Sequence, residues 1–208
     1  FEHLARAFGT QARPCVQIVK APAGARSFLC SRLFRRLARP VLVLAPTADE
    51  AEETFRELSA YLGPECAALF PSTEVAPYEA MPPYAPAVHD RMRALHRLAA
   101  GGPAVVVSSV EAVVEKTLPR DAFLRAVRKV APGAEIDVGE FAWHLSEIGY
   151  ARLPSTAETG DFSVRGGIVE VYSPAHPLPA RLLLDGDRVE SLRWFDPVSQ
   201  RTVSRAVA

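Results

Sequence analysis

Two hydrophobic rhythms meet near residue 118, and they divide what this chain can become. Up to that point, short apolar runs alternate with longer stretches of helical spacing. The runs Cys15 to Val19, Val41 to Leu44 and Ala104 to Val107 read as strands. Strands that are apolar on both sides suit a parallel sheet covered by helices on each face. Strand–helix–strand alternation then implies an α/β layer domain with right-handed crossovers.

The helical stretches carry their own punctuation. Arg26 to Ala38 has one stripe of Phe28, Leu29, Leu33 and Leu37, with Arg32, Arg35, Arg36 and Arg39 solvated and Pro40 as the stop. Asp49 to Leu62 is an acidic amphipathic helix with a cap at Thr47 or Asp49. Val88 to Ala99 is expected to turn Val88, Met92, Leu95 and Leu98 inward and Arg91, Arg93 and Arg97 outward. Ser108 or Ser109 caps a short helix bearing Val110, Val113 and Val114.

From about Pro119 the spacing shortens. Helical segments at Asp121 to Val127 and Val138 to Ile148 precede four runs with period two: Phe162 to Val164, Ile168 to Tyr172, Ala180 to Leu184 and Arg188 to Trp194. In the second helical segment Phe141, Leu145 and Ile148 share a face. Strands joined by short turns favour an antiparallel sheet, and Asp185-Gly186 reads as a tight hairpin turn. The expectation is a small α+β domain.

Formal net charge is zero, so the chain as a whole has no electrostatic attraction to nucleic acid or anionic membrane. Cys15, Cys30 and Cys66 are odd in number and set in apolar runs, which reads as buried thiols of a reducing cytoplasm. No apolar run is long enough to span a bilayer, and no signal peptide is expected at Phe1. The proline-rich loop from Phe70 to Tyr84 holds aromatics but no basic residue, so a packed connection is favoured over a nucleic-acid contact. Glu74, Glu79 and Asp90 flank that loop without an acid/base spacing, and His89 and His96 lack a third metal ligand.

The segment Lys20 to Ser27 follows the first expected strand and opens a helix, where a phosphate loop would lie. Such a loop needs bare backbone N–H groups around the phosphates, supplied by glycines, and a Lys followed by Ser or Thr. Here Lys20 and Ala25 stand where the glycines belong, Arg26 replaces the lysine and only Ser27 remains. Pro22 removes a further N–H. The position is that of a phosphate loop, and its chemistry is expected to be degenerate.

In the second part, alternation along Ala180 to Asp185 sends Leu182 and Leu184 one way and Arg181, Leu183 and Asp185 the other. If the leucine face is core, Arg181 and Leu183 lie on an outward sheet face, which Arg165 joins by phase. Solvated arginines explain this spacing; so does a protein interface, where arginine beside an apolar residue is a favoured anchor.

Phe162, Arg165-Gly166-Gly167, Val171, Pro174, Pro179, Arg181, Gly186-Asp187, Val189 to Arg193, Phe195-Asp196 and Gln200-Arg201 together resemble the N-terminal UvrB-homology region of the Mfd family, the bacterial transcription-repair coupling factors. Phe70-Pro71, Glu74, Pro77-Tyr78, Arg91 and Val105 to Val110 are similar to that family too. The resemblance implies a degenerate helicase-like (RecA-like) parallel-sheet domain over residues 1–120, followed by a small α+β UvrA-binding domain over residues 121–208. It further implies a non-catalytic recruitment module that brings UvrA to a stalled RNA polymerase during nucleotide excision repair. No cofactor is implied here; ATP and Mg, like RNA polymerase and DNA, would be engaged by regions of a longer translocase outside these residues.

In the family pattern, arginines corresponding to Arg165 and Arg181 face UvrA, and Leu183 and Asp185 belong to the same surface. This chain has Leu184-Asp185 where two aromatics usually precede Gly-Asp, so an anchor is absent at Asp185. The alternative member is UvrB itself, the damage-verifying ATPase. Its intact Gly-Lys-Thr loop is not found at Ala25 to Ser27, and the span from Tyr78 to Val88 is too short for its DNA-clamping hairpin. A third reading is an inactive helicase-like fragment holding DNA through Arg32, Arg35, Arg36 and Arg39.

Overall fold

A computed structural model describes residues 17–18, 20–73, 84–102 and 104–205. The chain divides into two compact units, Phe1–Thr117 and Leu118–Ala208. The expected strand at Cys15 to Val19, the cysteine at position 15 and the loop residues Glu74 and Glu79 lie outside the described residues, apart from Gln17 and Ile18, which carry no strand.

The described part of the first unit contains α1 (Ala23–Leu37), β1 (Val41–Ala45), α2 (Ala48–Leu62), β2 (Ala67–Phe70), α3 (Ala85–Ala99), β3 (Val105–Ser109) and α4 (Val110–Val114). The strands form a parallel sheet in the order β1-β3-β2, with Val43 opposite Val107 and Leu69 opposite Val107. The central strand is buried along its whole length, which explains its run of three valines. On one face Val105 and Val107 pack with Phe34, Ala45, Ala51 and Leu58. On the other Val106 meets Ala68, Phe70, Ala94 and Ala112. Each fully buried valine or leucine removes enough apolar area from water to contribute about 1.5–3 kcal/mol.

Local chemistry sets the helix ends. Thr47 accepts a bond from the backbone N–H of Glu50 at 3.2 Å, and Ser109 does the same for Ala112 at 3.2 Å. The inward faces differ from the sequence expectation. In α1 the buried stripe is Ser27, Ser31 and Phe34, while Phe28 is exposed against Tyr61 in an edge-on ring contact. In α3 the buried positions are Ala87, Arg91 and Ala94, and Leu98 is exposed. The small alanines let the helix approach the sheet, and this rotates Arg91 inward. Arg97 is not a free solvated charge either: it folds back to donate to the carbonyls of Ala67 and Pro64. Strand β2 had no β-branched signal and exists because the β3 edge supplies its backbone partners. Cys30 and Cys66 are half-buried free thiols beside the first core cluster, rather than fully buried.

The second unit contains α5 (Arg120–Ala126), α6 (Val138–Glu147), β4 (Ala151–Arg152), β5 (Asp161–Arg165), β6 (Ile168–Val171), β7 (Ala180–Asp185), β8 (Arg188–Phe195) and β9 (Thr202–Arg205). Its sheet runs in sequence order from β4 to β9, antiparallel throughout except that the two-residue β4 lies parallel to β5. Asp137 caps α6 by accepting from Glu140 N at 2.8 Å. Phe141, Ala142 and Leu145 of α6 face Phe162, Val164, Val169, Val171, Leu182 and Val189 on one side of the sheet. Ile148, expected on the same helix face, is exposed because the helix has ended. The short strands β4 and β9 were not foreseen.

Candidate interaction face of the second unit

With α6 on one side of the sheet, the opposite side is defined by cross-strand register. Ser163, Glu170, Arg181 and Arg193 are successive partners and form one row. Arg165, Ile168, Leu183 and Ser191 form the adjacent row. Directly paired residues share a face, so both rows project from the same side. Arg165, Arg181 and Leu183, the candidates named from sequence, are therefore brought together on one side. Asp185 closes β7 opposite Arg188, exposed at the tip of the hairpin, beyond a register shift between Leu183 and Leu184.

Glycines shape the β5–β6 turn that carries Arg165. Gly166 adopts φ 56, a left-handed conformation that costs glycine nothing. A Cβ on Gly167 would come 2.9 Å from the carbonyl oxygen of Leu184. That close backbone approach lets Leu184 N donate to Gly167 O at 2.8 Å and ties the turn to β7.

The centre of the face is a carboxylate. Glu170 has a side chain only 1% exposed, and its two oxygens are divided among three donors. Arg181 Nε reaches Oε1 at 2.7 Å; Ser163 Oγ and an Arg165 terminal nitrogen reach Oε2 at 3.1 and 3.4 Å. Arg181 spends its other nitrogens on Gln200, on the backbone oxygen at 3.3 Å and on Oε1 at 3.1 Å. Its guanidinium also lies 4.3 Å from the centre of the fully buried Phe195 ring, in cation–π geometry. Arg181 is thus not the freely solvated outward arginine of the sequence reading. Arg165 is, with 59% of its side chain exposed and a single long contact inward.

Gln200 occupies φ 60 in the loop between β8 and β9. Asp196 holds this loop by accepting from Ser199 N at 2.7 Å, while Gln200 N donates to Asp196 O at 2.8 Å. Those Ser199 bonds hold the Asp196 carboxyl below the usual carboxylate range. Sequence reasoning gave no place on this face to Ser163, Glu170, Arg193, Phe195 or Gln200, although the last three stood in the family motif. One signal was present: Glu170 is the carboxylate between Val169 and Val171, in phase with the arginine-bearing face.

In the first unit, Lys20 has φ 59 and is exposed, Pro22 precedes α1, and Arg26 is exposed. Ala25 is half-buried, and Ser27 points into the core. The polar centre of this unit lies elsewhere. Arg91, 5% exposed along its side chain, ion-pairs with Glu115 at 3.1 Å, donates to Pro71 O at 2.7 Å, and stacks 4.0 Å from the Phe70 ring centre. Glu115 also accepts from the Ser72 hydroxyl and from Thr73 N and Oγ1. Burial pushes the Glu115 carboxyl upward, but the bonds from Ser72 and Thr73 and the Arg91 charge outweigh it and hold the group below its usual value. This cluster pins the entrance to the proline-rich loop.

Among the described residues, no helix is long and apolar enough to cross a membrane. The model of the UvrB interaction domain matches residues 129–207, the segment that holds this face. The chain is 37% identical over 187 residues to the transcription-repair-coupling factor of Myxococcus xanthus, covering 86% of this chain and 16% of that protein. It is 32% identical over 198 residues to the transcription-repair-coupling factor of Mycobacterium bovis, covering 92% of this chain and 16% of that protein. It is also 26% identical over 197 residues to UvrABC system protein B of Thermosipho africanus, covering 86% of this chain and 29% of that protein. The chain therefore spans about one sixth of the coupling factors it matches.

Proposed function

The chain matches the N-terminal UvrB-homology region of the transcription-repair-coupling factor family, and from that premise we propose that it is a docking module which recruits UvrA. The observation that carries this reading is the arginine-bearing sheet face inside the matched domain. Arg165 is held at its edge by a buried carboxylate and a glycine turn while most of its side chain stays in solvent. A rigid strand that presents an arginine beside the half-buried Ile168 and Leu183 has the composition of an interface anchor. In the longer protein, UvrA held here would be delivered to a stalled RNA polymerase in the cytoplasm. The ATP-driven motor and the polymerase and DNA contacts would belong to other regions.

Asp185 replaces an aromatic anchor, so the contact leans on charge more than on stacking. Reversal of an exposed arginine at the interface is then expected to weaken UvrA binding tenfold or more. The decisive measurement is co-elution of the chain with UvrA, with Arg165→Glu as the variant; unchanged co-elution sinks the placement of the interface.

The similarity to UvrABC system protein B supports a second reading, an ATP-dependent damage-verifying subunit. Its discriminating test is calorimetric titration with Mg-ATP. The docking reading expects no heat from a loop with Lys20, Ala25 and Arg26 at the phosphate-binding positions, whereas saturable binding favours the second reading.

A further inference from the structure

Arg193 is a cation on this face with no ion pair among the described residues. It stands directly opposite Arg181 in the cross-strand register. Like charges in directly opposed positions repel, so the pair needs anions. Glu170 supplies one, and both of its oxygens are already used by Arg181, Arg165 and Ser163. Arg165, Arg181 and Arg193 thus have one carboxylate among them on these two rows, and the row continues to a further arginine position, Arg205 of β9, opposite Arg193 in the register. Among the described residues, the ion pairs include none from Arg193, and its Nε–H is buried without an acceptor. A buried guanidinium N–H in want of an acceptor is rare in a finished structure and calls for an explanation.

We propose that Arg193 is a third anchor of the docking face, taking an acidic side chain of the partner and extending the footprint from β5 across to β8. The proposal rests on the docking reading above and identifies the partner's complementary chemistry: carboxylates opposite β8, in addition to those opposite Arg165. The guanidinium fork matches a carboxylate bidentately. Arg181, the second arginine of the face, already spends three of its N–H groups on Glu170 and Gln200 and lies over the Phe195 ring. Arg193 carries no comparable internal duty, and it is half-buried on β8, a strand paired on both edges. Desolvation by the partner would strengthen such a pair beyond what a fully solvated arginine gives.

The test compares Arg193→Glu, Arg193→Gln and Arg165→Glu for binding to UvrA, with tryptophan fluorescence as the check on folding. Arg193→Glu is expected to weaken binding at least tenfold. Arg193→Gln, which keeps a similar reach without charge and serves if reversal disturbs the sheet, is expected to weaken it several-fold and to flatten the dependence of affinity on salt. A purely structural role for Arg193 would lower stability without changing that salt slope. If Arg165→Glu weakens binding while both Arg193 variants bind like the parent chain, the third anchor is overturned and the docking reading stands. If none of the three variants changes binding, or the parent chain does not bind UvrA, both fall together.

Discussion

The Nε of Arg181 lies 2.7 Å from a carboxylate oxygen of Glu170, and that carboxylate is almost wholly removed from water. Arg165 reaches the other oxygen at 3.4 Å from a largely solvated position. Two arginines that look equivalent in phase therefore do different work. One neutralises a buried charge, while the other is free to meet a partner.

Removal of Arg181 should be costly. Arg181→Ala strands a buried anion with Ser163 and a distant Arg165, and is expected to destabilise the second unit by about 3 kcal/mol. Arg165→Ala should cost less than about 1 kcal/mol, as for exposed ion pairs. Both tryptophans, Trp143 and Trp194, lie in the second unit, so urea unfolding followed by tryptophan fluorescence reads this difference selectively. Equal midpoints for the two variants would refute the division of labour.

Arg91 should behave as a core residue despite its charge. Arg91→Ala leaves the Glu115 carboxylate without its cation and vacates the stacking position on Phe70. A loss of about 3–5 kcal/mol is expected in the first unit. Hydrogen exchange of the Val105, Val106 and Val107 amides would rise sharply in this variant; protection equal to that of the parent chain would contradict the buried pair.

Acid should loosen the same unit through Glu115. Its folded carboxyl titrates below the ordinary value of 4.5. The ionised form is therefore favoured by folding, and its contribution is present above that value and lost as pH falls through the lower folded value. Glu115→Gln should be less stable at neutral pH and should flatten this part of the acid profile. The readout is β3 amide exchange between neutral and acid pH; parallel profiles for parent and variant would disprove the assignment.

Gly167→Ala tests the turn. The added methyl would approach the Leu184 carbonyl oxygen to 2.9 Å, closer than a Cβ tolerates, so the β6–β7 pairing must shift. Destabilisation of about 1–3 kcal/mol is expected, together with weaker UvrA binding because Arg165 stands beside the turn. Binding and unfolding assays on one preparation check both, and an unchanged midpoint would mean that the backbone approach is not tight.

Strands β1, β3 and β5 to β8 were legible because each is written in local alternation or a β-branched run; the turn expected at Asp185-Gly186 falls one residue later, at Gly186-Asp187, because Asp185 still pairs with Arg188. The caps at Thr47 and Ser109 were legible for the same reason: their partners lie three residues away. The juxtaposition of Arg165, Arg181 and Leu183 followed from period two alone. Strands β2, β4 and β9 were not legible. Ala67-Ala68 and the two-residue β4 have no strand preference of their own, and a neighbouring edge supplies it.

The inward turn of Arg91 and Glu170 was hidden for a different reason. A charged residue read alone belongs in water, and only a distant partner reverses that balance. Glu115 lies 24 positions from Arg91, and Arg181 lies 11 from Glu170. Short-range spacing determined the two units and the strand-borne arginines, because these depend on neighbours along the chain. Tertiary packing decided which arginines became structural and which stayed available, because the cost of burying a charge is set by whatever the fold brings within about 3 Å of it.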